Sequence, residues 1–177
     1  MPRLPALLLL LLFALPLAAA PFSPYEGDPL PPFTLTDLDG TPHTIGEATG
    51  EVVVINFWAT WCPPCIAEMP TLERLQQAFA GKPLKVLAVN VGDEPYDIAL
   101  FLRQQPLDLT ILLDRKGRTQ KPWKMRGLPT TVILDAGGKV RYHVPGQREW
   151  DSPEIQAALR ALLPAGTPGL QRADAGG

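Results

Sequence analysis

Val52-Val53-Val54-Ile55-Asn56-Phe57-Trp58-Ala59-Thr60-Trp61-Cys62-Pro63-Pro64-Cys65 is the stretch on which the reading of this chain turns. Its first half is a continuous apolar run rich in β-branched residues, as expected of a central parallel strand covered on both faces. After the cysteines, Ile66, Met69, Leu72, Leu75 and Phe79 recur at three- and four-residue steps and mark an amphipathic helix ending near Gly81. A Cys-x-x-Cys pair therefore stands at a strand-to-helix junction. These are the only two cysteines of the chain. A bridge between them closes a tiny loop and removes little unfolded-state entropy, so it is a poor structural staple. Tetrahedral zinc needs four ligands, and only His43 and His143 remain to complete such a set. The spacing suits reversible dithiol–disulfide chemistry, with metal binding and an inert pair as the competing readings.

The nucleophile in disulfide exchange is a thiolate, so one cysteine must be exposed and acidified. At the junction Cys62 is the helix N-cap, where the macrodipole and free backbone N–H groups favour a negative sulfur. Cys65 lies one turn deeper. Cys62 is the expected attacking thiol and Cys65 the resolving thiol. Pro63 and Pro64 then occupy the first two helical positions and tune the acidity: proline has no N–H, which leaves Cys65 N–H as the main backbone donor near the Cys62 sulfur. A thiolate less stabilised in this way implies a lower potential and a reductant.

Outward from the motif, Phe33 to Thr36 alternates as a strand, Asp39-Gly40 signals a tight turn, and Thr41 to Ile45 returns as an N-terminal β-hairpin. Leu84 to Val91 reads as a second buried strand, Tyr96 to Gln104 as a helix opened by Pro95, and Leu109 to Leu113 as a further strand. Arg118 to Met125 reads as a short helical turn. Thr130 to Leu134 and Val140 to Val144 form a hairpin, and Ser152 caps a last helix reaching about Leu163. Pro70, inside the first helix, should kink it.

Asn56 to Cys65, then Glu68-Met69-Pro70, and later Gly127-Leu128-Pro129-Thr130-Thr131, resemble the thioredoxin superfamily, most closely its TlpA/ResA/DsbE group of extracytoplasmic thiol–disulfide oxidoreductases. The likeness runs from about Phe33 to Leu163. It implies a thioredoxin-like α/β fold, a central mixed sheet flanked by helices, with the N-terminal hairpin and the helix–strand insert as elaborations. It also implies that Glu68 borders the active site and modulates thiol acidity and proton transfer, where spacing alone equally allows a solvated helix-surface glutamate. Asn56 departs from thioredoxin proper, which carries a buried aspartate there, and shifts the acid/base role toward Glu68; a hydrogen-bonded core amide is the plainer alternative. Pro129 resembles the superfamily's cis-proline, which sets the Leu128 backbone beside the dithiol to pair with an extended substrate. An ordinary trans proline is the alternative. Trp61 is the expected contact platform and Trp58 a core residue. Trp123 and Trp150 receive no role, and His43 and His143 read as surface residues.

The implied activity is reduction of disulfides in cysteine-containing extracytoplasmic proteins, apocytochrome c or copper-site assembly proteins, with no cofactor beyond the redox-active Cys62–Cys65 pair and no metal. A membrane thiol-electron donor would recharge it. Three rivals remain. A copper metallochaperone of the Sco type uses cysteines separated by three residues plus a histidine, a peroxidase lacks the Trp-Cys-x-x-Cys motif, and a net disulfide-forming oxidant differs only in potential.

With 177 residues the chain fits one domain, and its net charge of −2 with scattered basic residues supports neither nucleic-acid nor anionic-membrane binding. Met1-Pro2-Arg3, the leucine-rich run Leu4 to Leu17, and Ala18-Ala19-Ala20 have the parts of an export signal. Pro21 after Ala20 disfavours cleavage there, so residues 1–20 are read as a signal peptide or an N-terminal membrane anchor. No cysteine follows for a lipid. The five prolines from Pro21 to Pro32 suggest an extended spacer, residues 33–164 the domain, and the Gly/Ala/Pro-rich residues 165–177 a frayed tail.

Overall fold

The computed structural model describes residues 21–165; the leader and all but the first residue of the tail lie outside the described residues. Ten elements follow in order: β1 (Phe33–Asp37), β2 (Pro42–Ile45), β3 (Val52–Trp58), α1 (Pro63–Ala78), β4 (Leu84–Val91), α2 (Pro95–Gln104), β5 (Thr110–Asp114), β6 (Thr130–Leu134), β7 (Val140–Pro145) and α3 (Pro153–Arg160). The strands form one seven-stranded sheet in the order β2-β1-β5-β4-β3-β6-β7. β3, β4 and β5 run parallel, and every other pairing is antiparallel. Every residue of β3 is buried, as its unbroken apolar run requires of a strand with neighbours on both sides.

The pleat of β3 divides its side chains between two cores. Val52, Val54 and Trp58 join Met69, Leu72 and Leu75 of α1, Ile98 of α2, and Ile155 and Leu159 of α3 in the first. Val53, Ile55 and Phe57 face the second, whose cover is Trp123 with Leu30, Leu35 and Ile45 rather than a helix. This asymmetry follows from topology: β3-α1-β4 and β4-α2-β5 step in one direction across the sheet, and right-handed crossovers then put both helices on one face. The other face is closed by residues 115–126. Arg118 to Lys124 forms a run of turns, not a helix. The buried Asp114 carboxylate accepts the Arg118 and Thr119 N–H groups and the Thr119 hydroxyl, so it caps the start of this run, within which Trp123 N–H bonds Thr119 O at 2.9 Å as in one helical turn.

Residues 22–31 form no regular element beyond a bridge of Pro24 to Tyr142, but they are no free spacer. Phe22 is buried between Tyr142 and Trp150, Tyr25 N–H donates to Arg141 O at 2.8 Å, and Trp123 Nε1 donates to Pro31 O at 2.8 Å. Proline spacing suggests a spacer; the apolar residues between the prolines dock it on the domain. α1 continues through Pro70 to Ala78. α3 ends at Arg160, and single turns carry the chain to Leu163. No helix of the described residues is long and apolar enough to cross a membrane.

Candidate active site

The dithiol lies just beyond β3, at the edge of the sheet where the parallel strands end and loops converge. A turn closed by Cys62 N–H on Ala59 O leads out of the strand, and Cys62 takes an extended conformation (φ −101°, ψ 99°) as the N-cap of α1. Its carbonyl accepts Ile66 N–H at 3.1 Å, the first bond of the helix. Pro63 and Pro64 follow, where missing N–H groups cost the helix nothing. Cys62 and Cys65 are joined by a disulfide, with their Cα atoms 5.3 Å apart. In this oxidised form no backbone N–H bonds the Cys62 side chain.

Exposure differs from the sequence expectation. Cys62 is only 4% exposed and Cys65 is fully buried, while Trp61, between the turn and the dithiol, is 68% exposed. The accessible area at the site is mostly the Trp61 ring. Of the two sulfur-bearing residues, Cys62 alone keeps any surface for an incoming group.

Glu68 follows Cys65 by one turn and so shares its face of α1. It is not a solvated surface glutamate: it is fully buried. Three donors hold its carboxylate. Asn56 Nδ2 reaches Oε1 at 2.6 Å, while Arg148 N–H and Trp150 Nε1 reach Oε2 at 2.9 and 3.1 Å. Burial pushes its pKa up, because the charged form is the one that loses hydration, and the donors and the nearby Arg148 charge only partly offset this. Asn56 is a buried amide that also donates to Thr131 Oγ1 at 2.9 Å, and its Oδ1 has no hydrogen-bond partner among the described residues. The amide is therefore a hydrogen-bonded core group and at the same time a direct partner of Glu68.

The Leu128–Pro129 peptide bond is cis. Leu128 packs against both hydrophobic cores, Thr130 Oγ1 donates to Gly127 O at 2.7 Å, and Gly146 N–H donates to Pro129 O at 2.9 Å. Trp58 is buried against Phe101.

Three residues of the site were not singled out by sequence. Trp150 and Arg148, 82 and 80 positions from Glu68, reach it only because the chain after β7 turns back over α1. Asp93 accepts Thr60 N–H at 2.7 Å and Asn90 Nδ2 at 2.8 Å, tethering the residues before Trp61 to the end of β4. A carboxylate so soon after a buried strand was the only signal available. His43 bonds Asp37 within the first hairpin and His143 bonds Trp123 O, so neither joins the cysteines.

Comparison with known proteins agrees with this geometry. The family model described as Redoxin matches residues 25–159. The thiol-disulfide oxidoreductase ResA of Geobacillus kaustophilus is 35% identical over 138 residues, 78% of either chain. The thioredoxin-like protein YneN of Bacillus subtilis is 39% identical over 119 residues, covering 66% of this chain and 69% of its own. A crystal structure assigned as the thiol:disulfide interchange protein DsbE of Chlorobium tepidum superposes with a TM-score of 0.71 at 33% identity, over 80% of this chain and 100% of that one. With a bridged Cys-x-x-Cys at the mouth of a helix and relatives of this kind, the chain belongs to the Redoxin family and is a thioredoxin-fold thiol–disulfide oxidoreductase of the TlpA/ResA/DsbE-like type.

Proposed function

We propose that the protein acts outside the cytoplasm as a disulfide reductase for cysteine-containing client proteins, drawing electrons from a membrane thiol donor. The observation that carries this reading is the buried Glu68 carboxylate one turn behind Cys65, at the only dithiol of the chain. In the reduced protein the Cys62 thiolate attacks a client disulfide; a Cys62–client bond forms and the client's other sulfur leaves as a thiolate. Cys65 then loses its proton and attacks Cys62, which closes the protein disulfide and frees the second client sulfur. Two electrons have passed to the client. The Cys65 proton needs an acceptor in a place water does not reach. Glu68 supports that role because its raised pKa makes its carboxylate a stronger base than an exposed one. Asn56 and Trp150 hold the carboxylate in place. Trp61 offers the client an apolar platform, and the Leu128 backbone beside the cis-proline offers it an edge for pairing. The export-type leader and the TlpA/ResA/DsbE-like resemblance support an extracytoplasmic site, with haem-attachment cysteines of apocytochrome c or a copper-site assembly protein as clients.

The test is trapping with Cys65→Ser, which stops the reaction at the Cys62–client bond and identifies the client by mass. Equal or better trapping by Cys62→Ser reverses the assignment of the two thiols. A reduction potential near −120 mV, the strongly oxidising end of the known range by order of magnitude, would overturn the direction of electron flow.

A further inference from the structure

The sheet order puts β6 and the cis-proline on one side of β3, and β4 with its helix α2 on the other. Cys62 follows β3, so a client lying across the dithiol has two flanks. The β6 flank offers backbone at Leu128. The α2 flank offers a groove of about 710 Å³ between the start of α1 and one side of α2. Thr60, Trp61 and Ile66 form one wall, and Asp93, Asp97 and Leu100 are among its other lining residues.

Two properties give this groove a direction. First, it is continuous with the dithiol through Trp61 and carries an exposed apolar strip: Leu100 is 40% exposed, and Trp61 and Leu100 are two of the four large hydrophobic residues left exposed among the described residues. Second, its charge has one sign. Asp93 and Asp97 line it and no lysine, arginine or histidine does. Asp93 is committed to Thr60 and Asn90, whereas the Asp97 carboxylate has no ion-pair or hydrogen-bond partner among the described residues. An apolar strip beside an unpaired carboxylate is complementary to an apolar side chain next to a cation.

We propose that this groove is a client-docking subsite that selects segments carrying a lysine or arginine beside an apolar residue close to the reactive cysteine. The proposal rests on the reductase reading and names the substrate class that reading leaves open. The basic side chain pairs with Asp97 at the rim, its neighbour covers Leu100 and Trp61, and the client cysteine meets Cys62. Electrostatic complementarity of this kind acts chiefly on the encounter rate and on the choice among partners.

The experiment uses the full chain, pre-reduced, in single turnover. Two peptide disulfides are compared that differ only in a lysine or a glutamate beside the cysteine, with a small neutral disulfide as the third substrate. Stopped-flow tryptophan fluorescence gives the second-order rates. The lysine peptide should react about tenfold faster at low ionic strength, with the advantage shrinking as salt is added. Asp97→Asn should cut the ratio of the two peptide rates to about a third, and Asp97→Lys should invert it. Because the readout is a ratio, a general loss of activity in either variant cancels. Equal peptide rates with normal reduction of the small disulfide sink the docking proposal and leave the reductase reading standing; failure to reduce the small disulfide sinks both. Sedimentation showing a dimer that Leu100→Ser dissolves assigns the groove to a second copy of the chain, and the proposal then falls.

Discussion

At the scale of single residues, the chemistry concentrates on a carboxylate kept where water cannot solvate it. Glu68 titrates above the ordinary glutamate value because burial outweighs its three donors. A folded-state pKa above the unfolded one means the folded protein holds that proton more tightly. The stabilisation is complete below the unfolded value of about 4.3 and is lost as pH rises through the folded value. Glu68→Gln removes this dependence. Its urea midpoint should therefore gain on that of the native protein as pH is raised from about 4 to 8, and an offset independent of pH contradicts the burial argument. The same variant should slow release of a trapped client by about a hundredfold or more, the usual worth of a positioned general base, in a single-turnover assay. Trp150→Phe keeps an aromatic ring, though a smaller one, and removes one donor from Oε2. A donor to the carboxylate lowers its pKa, so losing it should move the half-maximal pH of client release upward; an unmoved profile would leave Trp150 a packing residue. Cys62 and Cys65 stood out in sequence by their spacing, and Asn56 and Pro129 by the family resemblance. Trp150 and Arg148 did not, since nothing local to residues 148–150 records that Glu68 lies beside them.

At the scale of elements, the start of α1 sets the character of the reactive sulfur. Pro63 and Pro64 fill the first two helical positions and leave Cys62 as an N-cap without its N2 donor, with only Cys65 N–H left nearby. Pro64→Ala restores one N–H near that sulfur. Its potential should rise by on the order of 30 mV, measured against glutathione buffers, because a better stabilised thiolate favours the reduced form. A fall in potential would refute the donor argument. Strands and helices were the legible part of the chain. The period-two hairpins, the buried runs of β3 and β4, and the three- and four-residue steps of α1 all express side-chain periodicity, which needs no knowledge of the fold. Residues 118–124 hold hydrogen-bonded turns that do not extend into a regular helix, and Asp114, several positions upstream, fixes where they begin by accepting the Arg118 and Thr119 N–H groups.

At the scale of the whole molecule, one sheet face is closed by three helices and the other by irregular chain. The N-terminal segment contributes to both: Leu30 lies in the second core, while Phe22 joins the helix-covered one against Tyr142 and Trp150, and Trp150 holds Glu68. Phe22→Ala should cost about 1.5–3 kcal/mol in urea unfolding, the transfer value of one buried aromatic, since an end segment can detach without leaving a sealed cavity. It should also expose residues 22–31 to proteolysis while the sheet stays protected; a cost near zero would make the segment the free spacer its prolines suggest. Sequence alone determined the strand–dithiol–helix junction and the order of elements, because these depend on neighbours within a few residues, and the thioredoxin-like class followed from the resemblance carried by motifs spread from Asn56 to Thr131. Tertiary structure alone decided the burial of Glu68, its partners on the chain after β7, the tether from Asp93 to Thr60 and the docking of the proline-rich segment. Each of these joins residues far apart along the chain, and hydrophobic periodicity carries no record of which distant side chain fills a given space.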